Sequence, residues 1–174
     1  MTSTTAVQTV QVHRVYIKAT PQQIWDAITK PEWTLRYGYG GSFESEPRPG
    51  KPYRVLTDDN MKKAGAERGY EVSDVVVDGE VIESNPPHKL VLTWRMLMDP
   101  GLAAEGFSRL TYEIEETQGG YTKLTLIHDL TGAPMLASIV DGAQEATGAG
   151  GGWPWVLSDL KSLLETGKSF AESA

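Results

Sequence analysis

Two of the three histidines in this chain fall at positions where an imidazole would turn into a protein interior. His128 shares a strand phase with Leu124, Leu126 and Leu130, and His13 shares one with Val15 and Ile17. An imidazole titrates near neutrality, so His128 at such a position is a candidate general acid or base, or a hydrogen-bonding group for a ligand carbonyl or phenol. A histidine bonded to backbone or hydroxyl inside an ordinary core fits the same pattern. Tyr112 alternates inward with Leu110 and Ile114 and is the natural partner for a proton relay. Trp94, Met96 and Met98 continue the apolar phase of Leu90 and Leu92. Thioethers fill irregular shapes and an indole adds one donor, so these three fit either an adaptable ligand wall or plain core packing. With Tyr39, Tyr53, Met135 and Trp153 they complete the candidate ligand-binding set.

Other chemistries find less support. Three histidines on separate segments show no His-x-x-x-His or His-x-His spacing, and there is no cysteine, so no metal site, disulfide or thiol nucleophile is expected. Glu80, Glu83, Glu113, Glu115 and Glu116 fall mostly on outward phases and read as solvated. No Gly-x-Ser-x-Gly elbow, phosphate loop or dinucleotide fingerprint is present, and no cofactor is expected. A formal charge of −7 and a pI near 5.0, with 16 scattered basic residues, disfavour a nucleic-acid surface. The start is polar and Thr-rich rather than signal-like, and no segment approaches a membrane span. The expectation is a soluble cytoplasmic protein.

The elements that position these side chains follow from periodicity and breakers. Val7 to Ala19 reads as a strand, Pro21 to Thr29 as a helix capped by Thr20, and Pro31 to about Tyr37 as a second short helix. Strands are expected over Ser42–Glu46, Tyr53–Thr57, Val75–Ser84, Lys89–Met98, Ser108–Glu116 and Tyr121–Leu130. The segment 58–74 has no clean period and is expected to be a long loop or an insertion with a helical turn. Ala133 to Thr147 suggests a further helix, followed by a glycine run, 148–152, read as a hinge or a gate. The closing helix is the clearest element: Trp153, Val156, Leu157, Leu160, Leu163 and Leu164 form one apolar stripe, with Pro154 in the first turn and Gly167 at the C-cap. At 174 residues the chain is expected to be one domain, with residues 1–6 disordered and 167–174 a frayed tail.

The combination resembles the START-like, or SRPBCC, superfamily and, more narrowly, the activator of heat-shock-protein-90 ATPase homologue (AHSA1-like) family. The residues that carry the likeness are Ala19-Thr20-Pro21 through Ile24-Trp25 and Ile28-Thr29, Pro31-Glu32, Asp78-Gly79-Glu80-Val81, Asn85-Pro86-Pro87-His88-Lys89-Leu90-Val91 with Thr93-Trp94, Ser108 to Tyr112, and Gly152-Trp153 with Leu157, Leu160 and Leu164. Two features depart from the family pattern: Leu35-Arg36-Tyr37-Gly38-Tyr39 stands where an aromatic pair is usual, and 58–74 is longer than usual. The resemblance implies an α+β helix-grip fold, a curved antiparallel sheet of about six or seven strands wrapped around the C-terminal helix, with two short helices after the first strand. It also implies an internal cavity for a small apolar or aromatic molecule, in proteins that sequester, transport, sense or confer self-resistance. Binding is favoured over turnover. The alternatives are a cofactor-free polyketide cyclase or aromatase using His128 and Tyr112, and an interaction module acting on a chaperone. A monomer or a homodimer fits each.

Overall fold

The computed structural model describes residues 9–69 and 71–170. The expectations for residues 1–6 and for the last four residues of the tail lie outside that range. Seven antiparallel strands form one sheet: β1 (Val10–Ile17), β2 (Ser42–Ser45), β3 (Pro52–Leu56), β4 (Val75–Asn85), β5 (Lys89–Met96), β6 (Ser108–Glu116) and β7 (Thr122–Asp129). Their order across the sheet is β1-β7-β6-β5-β4-β3-β2, so the first and last strands lie side by side. Among the described residues six α-helices accompany them: α1 (Pro21–Thr29), α2 (Pro31–Thr34), α3 (Asp59–Glu67), α4 (Pro100–Ala104), α5 (Pro134–Val140) and α6 (Gly152–Thr166). This is the helix-grip arrangement, a curved sheet closed by the long C-terminal helix.

Local chemistry explains where the helices begin and end. Thr20 accepts from the Gln23 amide while the Gln23 side chain accepts from the Thr20 amide, a reciprocal cap with Pro21 in the first turn. Ile24, Trp25, Ala27 and Ile28 of α1 are then buried. Helix α6 ends at Gly167, whose left-handed backbone lets its amide reach the Leu163 carbonyl. Its inner stripe is as expected: Leu157, Leu160 and Leu163 are buried, and Trp153 and Leu164 pack partly against the core. On the sheet, Leu90, Leu92 and Trp94 of β5 meet Leu110, Tyr112 and Ile114 of β6 and Leu124, Leu126 and His128 of β7 on one buried face.

Four expectations need correction. The segment 58–74 is not all loop, because Asp58 accepts from the Met61 amide and starts α3, a nine-residue helix. Helix 133–147 stops at Val140, since Gly142 sits at a φ of 89° and only a short 3-10 turn follows at Glu145–Thr147. The glycine run, expected as a hinge or a gate, is closely packed where it enters α6. A Cβ on Gly152 would lie 2.2 Å from the Val140 carbonyl oxygen, and one on Gly142 would lie 2.6 Å from that of Gly151, so two backbones pass in close contact there. The tail does not fray at Gly167. Ser169 is buried, its hydroxyl donates to Asp159, and the Phe170 amide donates to the same carboxylate.

Candidate functional site

Antiparallel register brings three strands of chemistry together at one end of the inner face. Leu110 of β6 is opposite His128 of β7, and Ser108 of β6 is opposite Trp94 of β5. His128 is completely buried. Its Nδ1 lies 3.1 Å from the indole Nε1 of Trp153, and its Nε2 lies 2.7 Å from the Ser108 hydroxyl. An indole nitrogen can only donate, so Nδ1 accepts and the proton of the neutral ring sits on Nε2. Nε2–H therefore donates to Ser108 Oγ, and the Ser108 hydroxyl donates onward to the Trp94 carbonyl at 2.8 Å. Burial holds the imidazole well below its ordinary range, at a pKa of about 3, with His13 adding to the effect and Asp129 opposing it. Protonating Nδ1 would break the bond from Trp153. The chain of four groups is thus satisfied end to end, and it fastens α6 to β7, β6 and β5.

Trp94 stands over this network, 5.3 Å from the His128 ring and 5.9 Å from the Trp153 ring, centroid to centroid. On its other side lies Tyr53 of β3. Tyr53 is the register partner of Gly79, and Asp78 is the partner of Arg95, so the glycine falls between Tyr53 and Trp94. A Cβ on Gly79 would run into the Thr93 carbonyl, which makes glycine the residue that fits. The Tyr53 ring is 2% exposed and packs edge-on against Phe43 at 5.2 Å. Its hydroxyl is buried without a hydrogen-bond partner, a condition shared among the described residues only by the Ser84 hydroxyl. Such a group costs about 1–3 kcal/mol. The Trp94 indole is near enough to favour the ionised phenol but is not aligned as a formed hydrogen bond.

Two more phenols converge on Tyr53. Tyr112 is buried on β6, and Tyr37, after α2, donates its hydroxyl to the Ala27 carbonyl at 2.9 Å. Burial pushes all three phenols above their usual range, and their mutual repulsion adds to it at Tyr37 and Tyr53. They are protonated at neutral pH. The buried polar residues among those described are Thr34, Ser108, Thr122, Thr125, His128, Asp159 and Ser169, with no Lys or Arg.

Of the nine candidate ligand residues, then, Tyr53, Trp94, Tyr112 and His128 are buried together, with Met96 and Trp153 partly buried beside the core. Tyr39, Met98 and Met135 are placed elsewhere, each about half exposed. Met98 lies past the end of β5, so its alternation no longer applies. Tyr39 stacks on Trp155 of α6 at 4.8 Å, outside the core. Met135 caps the outer side of α5, whose first amides are held by the Glu105 carboxylate. His13 is only part-buried at the edge strand β1, where it meets Gln11. Among the described residues no cluster of His, Asp or Glu has the geometry of a metal site.

Two residues were not legible beforehand. Asp159, fully buried on α6, takes the amides of Gly38 and Phe170, each at 2.8 Å, and the Ser169 hydroxyl. Only its position beside the apolar stripe marked it. Tyr37 was expected at the end of the second short helix, which stops instead at Thr34. Two surface concavities, of about 550 and 390 Å³, are lined by Tyr16, Lys18, Tyr121 and Lys161 and by Lys62, Glu71, Val72 and Asp74 respectively. Neither is lined by Trp94, Tyr112 or His128.

The fold accords with the family and the solved structures that the chain resembles. The model of the family described as activator of Hsp90 ATPase homolog 1-like protein matches residues 18–165. The chain belongs to this family. No curated protein matches it in sequence. Among solved structures, it is similar to MLL2253 from Mesorhizobium loti, at 21% identity and a TM-score of 0.62, over 89% of this chain and 96% of that one. It is also similar to the Aha1 dimer from Colwellia psychrerythraea, at 18% identity and a TM-score of 0.59, over 92% and 98%. DynU16, from the dynemicin biosynthetic locus, gives a TM-score of 0.63 at 21% identity. This family member spans about half of DynU16, the match covering 94% of the shorter chain and 49% of the longer. At these identities the likeness is one of fold.

Proposed function

We propose that the protein binds a small apolar or aromatic molecule between the sheet and α6, for sequestration, transport, sensing or self-resistance. The observation that carries this reading is the Tyr53 hydroxyl, a hydrogen-bonding group left without a partner in a buried aromatic cluster with Trp94 and Tyr112. Cores seldom retain such a group unless something outside the chain completes it. Part-buried Met96 and Met61, packed against the core, supply side chains that re-pack easily around an irregular guest. A relative in a natural-product locus is compatible with such a role, and an intracellular setting suits it.

Acid-base turnover is the weaker reading. An imidazole held at about pKa 3, with both nitrogens engaged, is poorly placed to exchange protons at neutral pH. A chaperone or self-association role draws its support from the family and from the likeness to the Aha1 dimer, and on this chain it would rest on exposed apolar side chains such as Met98, Phe107 and Met135.

The test is a titration of tryptophan fluorescence and melting temperature with a panel of apolar and aromatic metabolites. A ligand at a hundred times its Kd stabilises by about 2.7 kcal/mol, roughly 5–10 °C for a chain of this size. Saturable binding weakened by Trp94→Ala supports the proposal. Silence across the panel, together with concentration-dependent self-association, moves the function to the protein's surface.

A further inference from the structure

We infer that the interior site selects an uncharged aromatic ligand carrying a carbonyl-type acceptor oxygen, received by the Tyr53 hydroxyl; this rests on the binding proposed above. The polar groups around the aromatic cluster are donors. Tyr53 has an unused hydroxyl proton, and the indole of Trp94, which can only donate, lies near that hydroxyl. Tyr112 is a protonated phenol beside them. The Ser108 and Tyr37 hydroxyls already donate to backbone carbonyls, so neither competes for the same oxygen.

The charge of the ligand follows from the same inventory. A carboxylate brought into this interior would need a cation, and none of the buried polar residues among those described is Lys or Arg. His128 cannot substitute, because its ring is neutral and committed at both nitrogens. Asp159, the buried carboxylate near Tyr37, would repel a second negative charge. A cationic ligand gains little either, since Asp159 is already saturated by two amides and a hydroxyl. A neutral ketone or quinone-like oxygen is what remains.

Three naphthalenes of nearly equal size separate the possibilities: 2-acetonaphthone, its hydrocarbon isostere 2-isopropenylnaphthalene, and 2-naphthoate. The wild-type protein is expected to bind the ketone at least tenfold more tightly than either of the others. Tyr53→Phe is expected to bring the ketone down to the level of the isostere while leaving the isostere unchanged. The unliganded Tyr53→Phe protein should melt at or above the wild-type temperature, because the substitution removes a polar group that has no partner. Equal affinity for ketone and isostere, tightest binding of naphthoate, or a Tyr53→Phe protein that melts lower overturns the inference while interior binding stands. Failure of all three naphthalenes to bind overturns both.

Discussion

His128 looked like a catalytic residue because its strand phase pointed inward, and the phase was right. What the phase could not show is that both ring nitrogens are already used, one by Trp153 and the other by Ser108. The consequence is a stability that depends on pH. In the unfolded chain His128 takes up a proton near pH 6.5, whereas in the folded protein it does so only near pH 3. The unfolded state thus binds more protons between those values, and stability is present above pH 6.5 and lost as the pH falls below it. Going from pH 7 to pH 5 should cost about 2 kcal/mol through this one group. Urea denaturation at the two pH values checks this: His128→Gln should lower stability at pH 7 and remove most of the loss on acidification. His13, whose ordinary value is also lowered by partial burial, contributes in the same direction and is retained in both proteins, so it cancels in the comparison.

At the scale of elements, the sequence reached the strands and α6 because their signals are local and periodic. Alternation placed Leu90, Leu92, Trp94, Leu110, Tyr112, Leu124, Leu126 and His128 on one face, and all are buried there. Contacts made across long sequence separations were out of reach. Tyr39 resembled a cavity residue by type and Met98 by strand phase, and nothing near them in sequence told that one stacks outside the core and the other lies beyond its strand. Asp159 was hidden for the same reason, since its partners Gly38 and Phe170 lie on other segments. Asp159→Ala should strand two backbone amides and the Ser169 hydroxyl. A loss of about 3 kcal/mol is expected in chemical denaturation, with faster hydrogen exchange at Gly38 and Phe170. Gly152→Ala tests the close crossing of α5 and α6. A left-handed φ of 66° and a clash with the Val140 carbonyl should cost at least about 2 kcal/mol, where a true hinge would tolerate the methyl group.

Across the whole molecule, the two walls of the grip are held unequally. Helix α6 is tied to the rest at three levels: by Trp153 to His128, by Asp159 to the loop at Gly38, and at its last turns by Glu165 to the Lys18 amide and by Lys161 to the Tyr16 carbonyl. Helix α3 has no comparable set. Met61 packs against the core, Gly65 is buried, and the exposed Lys62 pairs with the Asp74 carboxylate at 2.8 Å on the surface, where solvent screens the contact. If a guest is bound, the helix expected to yield at least cost is therefore α3, whose contact with the core is Met61, rather than α6. Native-state hydrogen exchange tests this directly. The amides of 62–67 should exchange at least a hundredfold faster than those of 157–163, and a bound aromatic ketone should slow the first set while leaving the second unchanged. Equal protection in the two helices would put the moving wall elsewhere.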